Sequence, residues 1–339
     1  MPLLDVGRGI GATRLHYDRE GSGEPLLWIT GFAISSEVFT GGMAAYAGEF
    51  DCIRYDNRGS GRSQAPWRPT SIAELAGDAV ALLDALGLDS AHVHGLSMGG
   101  MVAQEMAIRF PDRVRALVLG GTTHGGPRAI PPLASAAAGL RTATSAGRLR
   151  ADLVAGALFS EQYRREHPEG VRQALGLLGA HRATARGLAG HWWSSFFHDT
   201  FSRLPRIVAP TLVLHGGQDR LTPVANARVL AARIPDATLR VLPAAGHAYL
   251  FEDPQESHRL FLQWLRERCP VPAGRPLSGL AARTEPLSRA LALPAGTFRT
   301  GRSLVGLPAA YAARAARAGS ARPGSGSPAP GRSRGRRAG

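Results

Sequence analysis

The chain has no lysine; all 40 of its lysine-plus-arginine positions are arginine. That absence reads as coding bias rather than mechanism. Cysteine is almost missing as well. Cys52 and Cys269 are the only two in 339 residues; they form no metal-ligand spacing, and so few thiols fit a reducing compartment. No apolar run is long enough to span a bilayer, and the first residues lack the charged-then-apolar order of a secretory signal. The expectation is a cytoplasmic protein that makes no use of a membrane. Aromatic residues make up 6% of the chain. They are not interleaved with the basic residues, and no nucleic-acid-binding module is recognisable, so specific nucleic-acid binding is not expected.

What is present is an apolar fraction of 44%, ample for the core of one large α/β domain or two small ones. The positive charge is unevenly placed. Through residue 268, 28 arginines face 25 acidic residues, a net of +3; residues 269–339 carry 12 arginines and one glutamate, a net of +11. The basic character therefore belongs mostly to the tail. The tail is rich in Ala, Gly, Pro, Ser and Arg and is expected to be disordered.

Hydrophobic patterning places strands at Thr13–Asp18 (an edge), Leu26–Ile29, Phe50–Tyr55, around His92–Gly95, Arg113–Leu119, Thr211–His215 and Thr238–Leu242. The continuous apolar run Leu26-Leu27-Trp28-Ile29 is the mark of a strand buried on both faces. Gly7-Arg8-Gly9-Ile10-Gly11 looks like a dinucleotide loop only superficially, because it precedes any strand. Ser71–Leu86 reads as a helix with a Ser71/Glu74 capping box and Gly87 as its stop. The final helix starts with Asp253 as cap, Pro254 at its first position and Glu256 two residues further on. Strands alternating with helices at short intervals predict an α/β fold, a mostly parallel sheet covered on both faces. Ligands in such sheets bind beyond the carboxyl ends of the strands, and Thr30, Asp56 and Ser97 all stand there. In the loop Asp56–Ser63, Asp56 and Arg58 are expected to form a charge-paired brace.

Residues 121–205 break the alternation and read as a helical cap inserted over that rim. The core is then 1–120 with 206–268, and the tail 269–339. Within the cap, Trp192, Trp193, Phe196 and Phe197 concentrate aromatic surface at helical spacing. They either pack the cap onto the core or line an apolar substrate pocket. Of the remaining histidines, His94 lies inside a strand, and His124, His181, His191 and His198 belong to the cap.

The stretch His92-Val93-His94-Gly95-Leu96-Ser97-Met98-Gly99-Gly100 reads as strand, Gly-x-Ser-x-Gly turn, then helix. In that context the serine hydroxyl projects from a tight turn, and the Met98 N–H faces an incoming carbonyl from a helix start. Asp219 and His247 each follow a later strand. The order Ser97, Asp219, His247 supplies a nucleophile, a group to orient the base, and the base itself. Each alone has a structural explanation; all three at strand ends in this order point to chemistry.

Residues 13–268 resemble the α/β-hydrolase superfamily. The blocks that carry the likeness are Asp56-x-Arg58-Gly59-x-Gly61-x-Ser63, Gly95-Leu96-Ser97-Met98-Gly99-Gly100, Gly217-x-Asp219 and Gly246-His247-x-x-x-x-Glu252-x-Pro254. The elbow and the strand after it are similar to those of 3-oxoadipate enol-lactonases and bacterial carboxylesterases. The resemblance implies an oxyanion hole from the Phe32 and Met98 N–H groups, and no metal or cofactor. One departure stands out: many members have His-Gly where this chain has Thr30-Gly31. A serine at the elbow, where dehalogenases and epoxide hydrolases of this fold use aspartate, argues against both. The expected activity is hydrolysis of an ester or lactone of a small, largely apolar molecule. The alternatives are the same triad used for C–C hydrolysis, perhydrolysis or cyclisation, and, less favoured, a non-enzymatic ligand receptor.

Overall fold

The computed structural model describes residues 3–7, 12–66, 68–136, 151–179 and 183–269. Eight strands form one sheet: β1 (Leu3–Val6), β2 (Thr13–Gly21), β3 (Glu24–Ile29), β4 (Phe50–Tyr55), β5 (Ala91–Leu96), β6 (Val114–Gly120), β7 (Thr211–Gly216) and β8 (Ala237–Leu242). Their order is β1-β2-β4-β3-β5-β6-β7-β8. β1 and β2 run antiparallel to their neighbours, and every pairing from β4 to β8 is parallel. The described helices are α1 (Thr40–Met43), α2 (Ile72–Ala85), α3 (Met98–Arg109), α4 (Ala151–Leu158), α5 (Glu161–Glu166), α6 (Pro168–Gly179), α7 (Ala185–Phe197), α8 (Ala225–Arg233), α9 (Tyr249–Glu252) and α10 (Pro254–Arg268).

Successive side chains of a strand point to opposite faces, so a strand apolar throughout needs cover on both. That is what the sheet receives. Leu27, Ile29, Ile53, Val93, Leu117 and Val213 pack with residues of α2, α3 and α8 in one cluster. Leu26, Trp28, Cys52, Val118, Leu212 and Leu214 pack with Tyr46 and with Phe261, Trp264 and Leu265 of α10 in the other.

Local signals behave as the residues dictate. Ser71 Oγ accepts from the Glu74 N–H (3.2 Å) and a Glu74 carboxylate oxygen accepts from the Ser71 N–H (2.8 Å), closing the capping box of α2. Asp253 caps α10 through the Glu256 N–H at 3.2 Å.

Three expectations need correction. The edge strand is Leu3–Val6, and Thr13–Gly21 is its inner neighbour. The glycine-rich residues 7–11 therefore follow a strand. The next strand, β2, pairs antiparallel with β1, whereas a dinucleotide loop leads from a strand through a helix to a parallel strand, so the dinucleotide reading fails for that reason instead. Asp56 and Arg58 do not pair with each other. Arg58 makes a buried ion pair with Asp78 of α2, while Asp56 accepts from the Ser36 and Arg62 N–H groups at 2.6 and 2.8 Å.

Helices α4 to α7 lie between β6 and β7, where the cap was expected. Leu204 and Ile207 are already buried in the sheet's own core, next to the expected boundary at 205/206. His181 and, beyond Cys269, the basic tail lie outside the described residues. Among the described residues, no helix is long and apolar enough to cross a membrane.

Candidate active site

β5 runs into α3 through one residue, Ser97, whose backbone is forced to φ 57° and ψ −119°. A left-handed serine is costly and persists only where the surroundings impose it. Here they do. A Cβ on Gly95 would overlap the Gly99 carbonyl, and one on Gly99 would overlap the Ile29 carbonyl, so the turn closes only on glycine. The Ser97 N–H donates to Gly120 O at 2.8 Å, and the Thr122 hydroxyl donates to Ser97 O at 2.6 Å. The serine is thus pinned to the end of β6 while its side chain stays half-buried at the sheet rim.

Asp219 follows β7 and His247 follows β8. His247 Nδ1 stands 2.7 Å from Asp219 Oδ2. The other carboxylate oxygen accepts the Leu221 and Thr222 N–H groups at 2.9 and 2.7 Å. His215 Nε2 lies 3.3 Å from Oδ2 and donates to Thr222 O at 2.7 Å. Burial alone would raise the Asp219 carboxyl. The charge of His247 and the hydrogen bonds from His215 and His247 outweigh it and bring the pKa down to about 2. The His247 ring stands over Gly121, the residue after Gly120 that holds Ser97. Serine and imidazole therefore flank the same β6 terminus.

The loop after β3 forms the facing wall. Gly31 abuts the Ser97 side chain, with Ser97 Cβ 3.3 Å from where a Cβ on Gly31 would stand. Phe32 comes next, and its ring packs edge-on against Trp192 at 4.7 Å between centroids. Met98, the first residue of α3, is buried in the cluster against which Phe32 packs. Thr30, where the chain departs from the family pattern, is buried and receives the Asn57 amide on its carbonyl at 3.0 Å.

Three of the four cap aromatics pack on one another, Trp193 on Phe197 at 4.5 Å and Phe196 on Phe197 at 5.0 Å between centroids, but the four are unequally buried. Trp192 meets Phe32 and Phe196 is half-buried, whereas Trp193 and Phe197 are 50% and 62% exposed. Half or more of Trp193 and of Phe197 is open to solvent, so it is Trp192, through Phe32, that packs this helix against the loop after β3.

Three site residues escape a reading of strand ends alone. His215 sits on β7 four residues before Asp219. Glu252 receives the Gly246 N–H at 2.9 Å and the Ser160 hydroxyl at 2.6 Å, tying the His247 loop to the cap. Burial pushes the Glu252 carboxyl up, against the pull of those hydrogen bonds. His191 of the cap reaches the loop beside Phe32, with its Nδ1 3.0 Å from the Ala33 N–H. Its signal was the sparse face Gly187, Gly190, His191, Ser194, at helical spacing and free of large apolar groups.

A profile of the alpha/beta hydrolase fold matches residues 24–254. The chain belongs to the alpha/beta hydrolase fold family. It is 32% identical to 3-oxoadipate enol-lactonase 2 of Acinetobacter baylyi over 225 residues, 63% of this chain and 78% of the lactonase. It is 31% identical to the poly(3-hydroxyalkanoate) depolymerase of Ectopseudomonas oleovorans over 267 residues, 75% of this chain and 89% of the depolymerase. Among solved structures, a thermophilic esterase from Thermogutta terrifontis matches with a TM-score of 0.68 at 27% identity, covering 79% of this chain and 99% of the esterase. The chain is an enzyme, an α/β-fold hydrolase, in a family whose relatives include esterases and lactonases.

Proposed function

We propose that the protein hydrolyses a carboxylic ester or lactone of a small, largely apolar molecule through Ser97, His247 and Asp219. The observation that carries this reading is the 2.7 Å His247–Asp219 hydrogen bond, formed beside the β6 terminus that also holds the strained Ser97.

Ser97 Oγ attacks the substrate carbonyl carbon and gives its proton to His247 Nε2. Asp219, bonded at Nδ1, fixes the ring and stabilises the imidazolium that forms. The negative charge on the carbonyl oxygen is received by the Phe32 and Met98 N–H groups. Collapse of the tetrahedral adduct breaks the bond to the alkoxide oxygen, which takes the proton from His247. Water then repeats the sequence on the acyl-enzyme and frees the acid and Ser97. Trp192 and Phe196 contribute apolar surface for the substrate. The likeness to the lactonase and the depolymerase supports an ester or lactone substrate.

The test is covalent labelling by a fluorophosphonate, followed by turnover of p-nitrophenyl esters and lactones of graded chain length. Labelling that persists in Ser97→Ala, or a wild-type enzyme inert to every ester and lactone, would overturn the reading.

A further inference from the structure

α7 approaches the core with an unusual face. Its buried residues are Gly187, Gly190, His191 and Ser194, none of them large and apolar. Such a face gains little from hydrophobic burial, so something other than core packing determines it. At Gly187 the helix backbone stands directly on the backbone of Gly59, and a Cβ on either residue would overlap the other. That approach brings the next turn, and His191 with it, against the loops of the sheet rim.

His191 is 1% exposed, and both its ring nitrogens are engaged. Nε2 donates to the Arg58 carbonyl at 2.9 Å, which leaves Nδ1 as an acceptor for the Ala33 N–H at 3.0 Å. The bonds therefore assign one neutral tautomer. Burial, against the smaller upward pull of the Arg58 bond, lowers the imidazole pKa to about 4, so the Nδ1 lone pair persists at neutral pH. The foot of this clamp is fixed as well, since Arg58 is held by its buried ion pair with Asp78.

The residue at the other end is not ordinary. Ala33 has φ 59°, and among the described residues only Ser97 shares a positive φ without being glycine. A left-handed alanine costs about 1–2 kcal/mol unless held. The strained residue immediately follows Phe32, and the peptide joining the two, which carries the Phe32 C=O and the Ala33 N–H, is held by His191; that restrains Phe32 and, through its backbone torsions, the preceding peptide that carries the Phe32 N–H. The Phe32 ring is held by the same helix, 4.7 Å from Trp192 and 6.0 Å from His191 between centroids.

We propose that His191 is the positioning residue of the oxyanion loop: a cap imidazole that holds Ala33 left-handed and thereby aims the Phe32 N–H at the reacting carbonyl oxygen. The proposal rests on the serine-hydrolase reading above. It assigns the cap a part in the rate of the chemical step, not only in substrate choice. His191 touches no reacting atom and acts entirely through Ala33 and Phe32.

The experiment compares His191→Phe, His191→Asn and His191→Gln with wild type. Phe fills the volume and accepts nothing. Asn places its Oδ1 where Nδ1 stands and retains the Ala33 bond. Gln reaches the Nε2 position and retains the Arg58 bond. The readouts are kcat and KM on p-nitrophenyl butyrate, affinity for an aryl trifluoromethyl ketone that mimics the tetrahedral adduct, and Tm. With a donor misaimed rather than deleted, Phe and Gln should lose roughly 10- to 100-fold in kcat and in ketone affinity, with KM changed by no more than about twofold. Asn should stay within about threefold of wild type. Where His191→Phe does not fold, the Asn and Gln pair decides. The proposal is overturned if kcat and ketone affinity survive in Phe or Gln, if Asn is no better than Gln, or if losses follow Tm rather than the acceptor. A wild-type enzyme that neither labels with fluorophosphonate nor turns over esters would instead remove the underlying reading, so the two failures are distinguishable.

Discussion

His215 Nε2 stands 3.3 Å from Asp219 Oδ2, the same oxygen that meets His247 Nδ1 at 2.7 Å. One carboxylate oxygen thus serves two imidazoles while its partner oxygen takes two backbone N–H groups. The carboxylate is saturated, which is how a charge can remain ionised when almost fully buried.

Acid stability should report this. The Asp219 pKa falls from 3.8 to about 2 on folding. A carboxyl depressed in the folded state binds protons more readily when unfolded. Its stabilisation is therefore complete above pH 4 and is lost as the pH falls from about 4 to about 2. The stability gap between wild type and Asp219→Asn, measured by urea melts, should be on the order of 2 kcal/mol at pH 6 and shrink across that window. A gap constant down to pH 2 would contradict it.

Ser97→Ala should cut ester turnover by roughly four to six orders of magnitude and abolish fluorophosphonate labelling. Asp219→Asn and His247→Ala should each slow turnover by a factor on the order of 10⁴ or more. Glu252 is no substitute acid, because its carboxylate is occupied by Gly246 and Ser160. Glu252→Gln should accordingly leave more activity than Asp219→Asn, as steady-state rates will show.

The cap aromatics should separate by exposure. Trp192→Ala removes apolar surface next to Phe32 and should penalise long acyl chains over acetate by about 1.5–3 kcal/mol in kcat/KM. Trp193→Ala and Phe197→Ala should leave that chain-length profile flat, since both side chains face solvent. Equal chain-length effects at all three positions would place all three in one pocket.

Two glycine-to-alanine changes should act in opposite directions. Gly77 lies inside α2 with nothing within 4 Å of an added Cβ. Gly77→Ala should raise stability by about 0.5–1 kcal/mol. Gly187→Ala would drive a methyl into the Gly59 carbonyl, and should lower both Tm and kcat by pushing α7 off its seat. Denaturant melts and initial rates on the two variants suffice.

The sheet and the placement of Ser97, Asp219 and His247 just past strand ends were legible because both rest on local rules: continuous apolar runs, a glycine-bounded serine, and polar residues placed just after strands. β1 was not legible, since Leu3–Val6 spans four residues and buries only Val6, too little pattern to announce a strand. The partner of Arg58 was misread because charge adjacency in sequence says nothing about which carboxylate lies opposite in space; Asp78 is on another element. His191 and Ala33 lie 158 residues apart, and their contact exists only once the cap has docked. The exposure of Trp193 and Phe197 was not legible, because helical spacing alone does not say which neighbours each side of α7 will meet.

Two of the cap's attachments to the core reach the site. α7 engages Arg58 and Ala33 through His191, and the turn between α4 and α5 engages the His247 loop through the Ser160–Glu252 and Ala248 N–H to Leu158 O bonds. Evolution by recombination is constrained accordingly. A transplanted insertion that brought new pocket walls but neither anchor would deliver its substrate to slack machinery. Productive chimeras should therefore inherit residues 158–160, 187 and 191 as a unit, with diversity confined to the stretches between them.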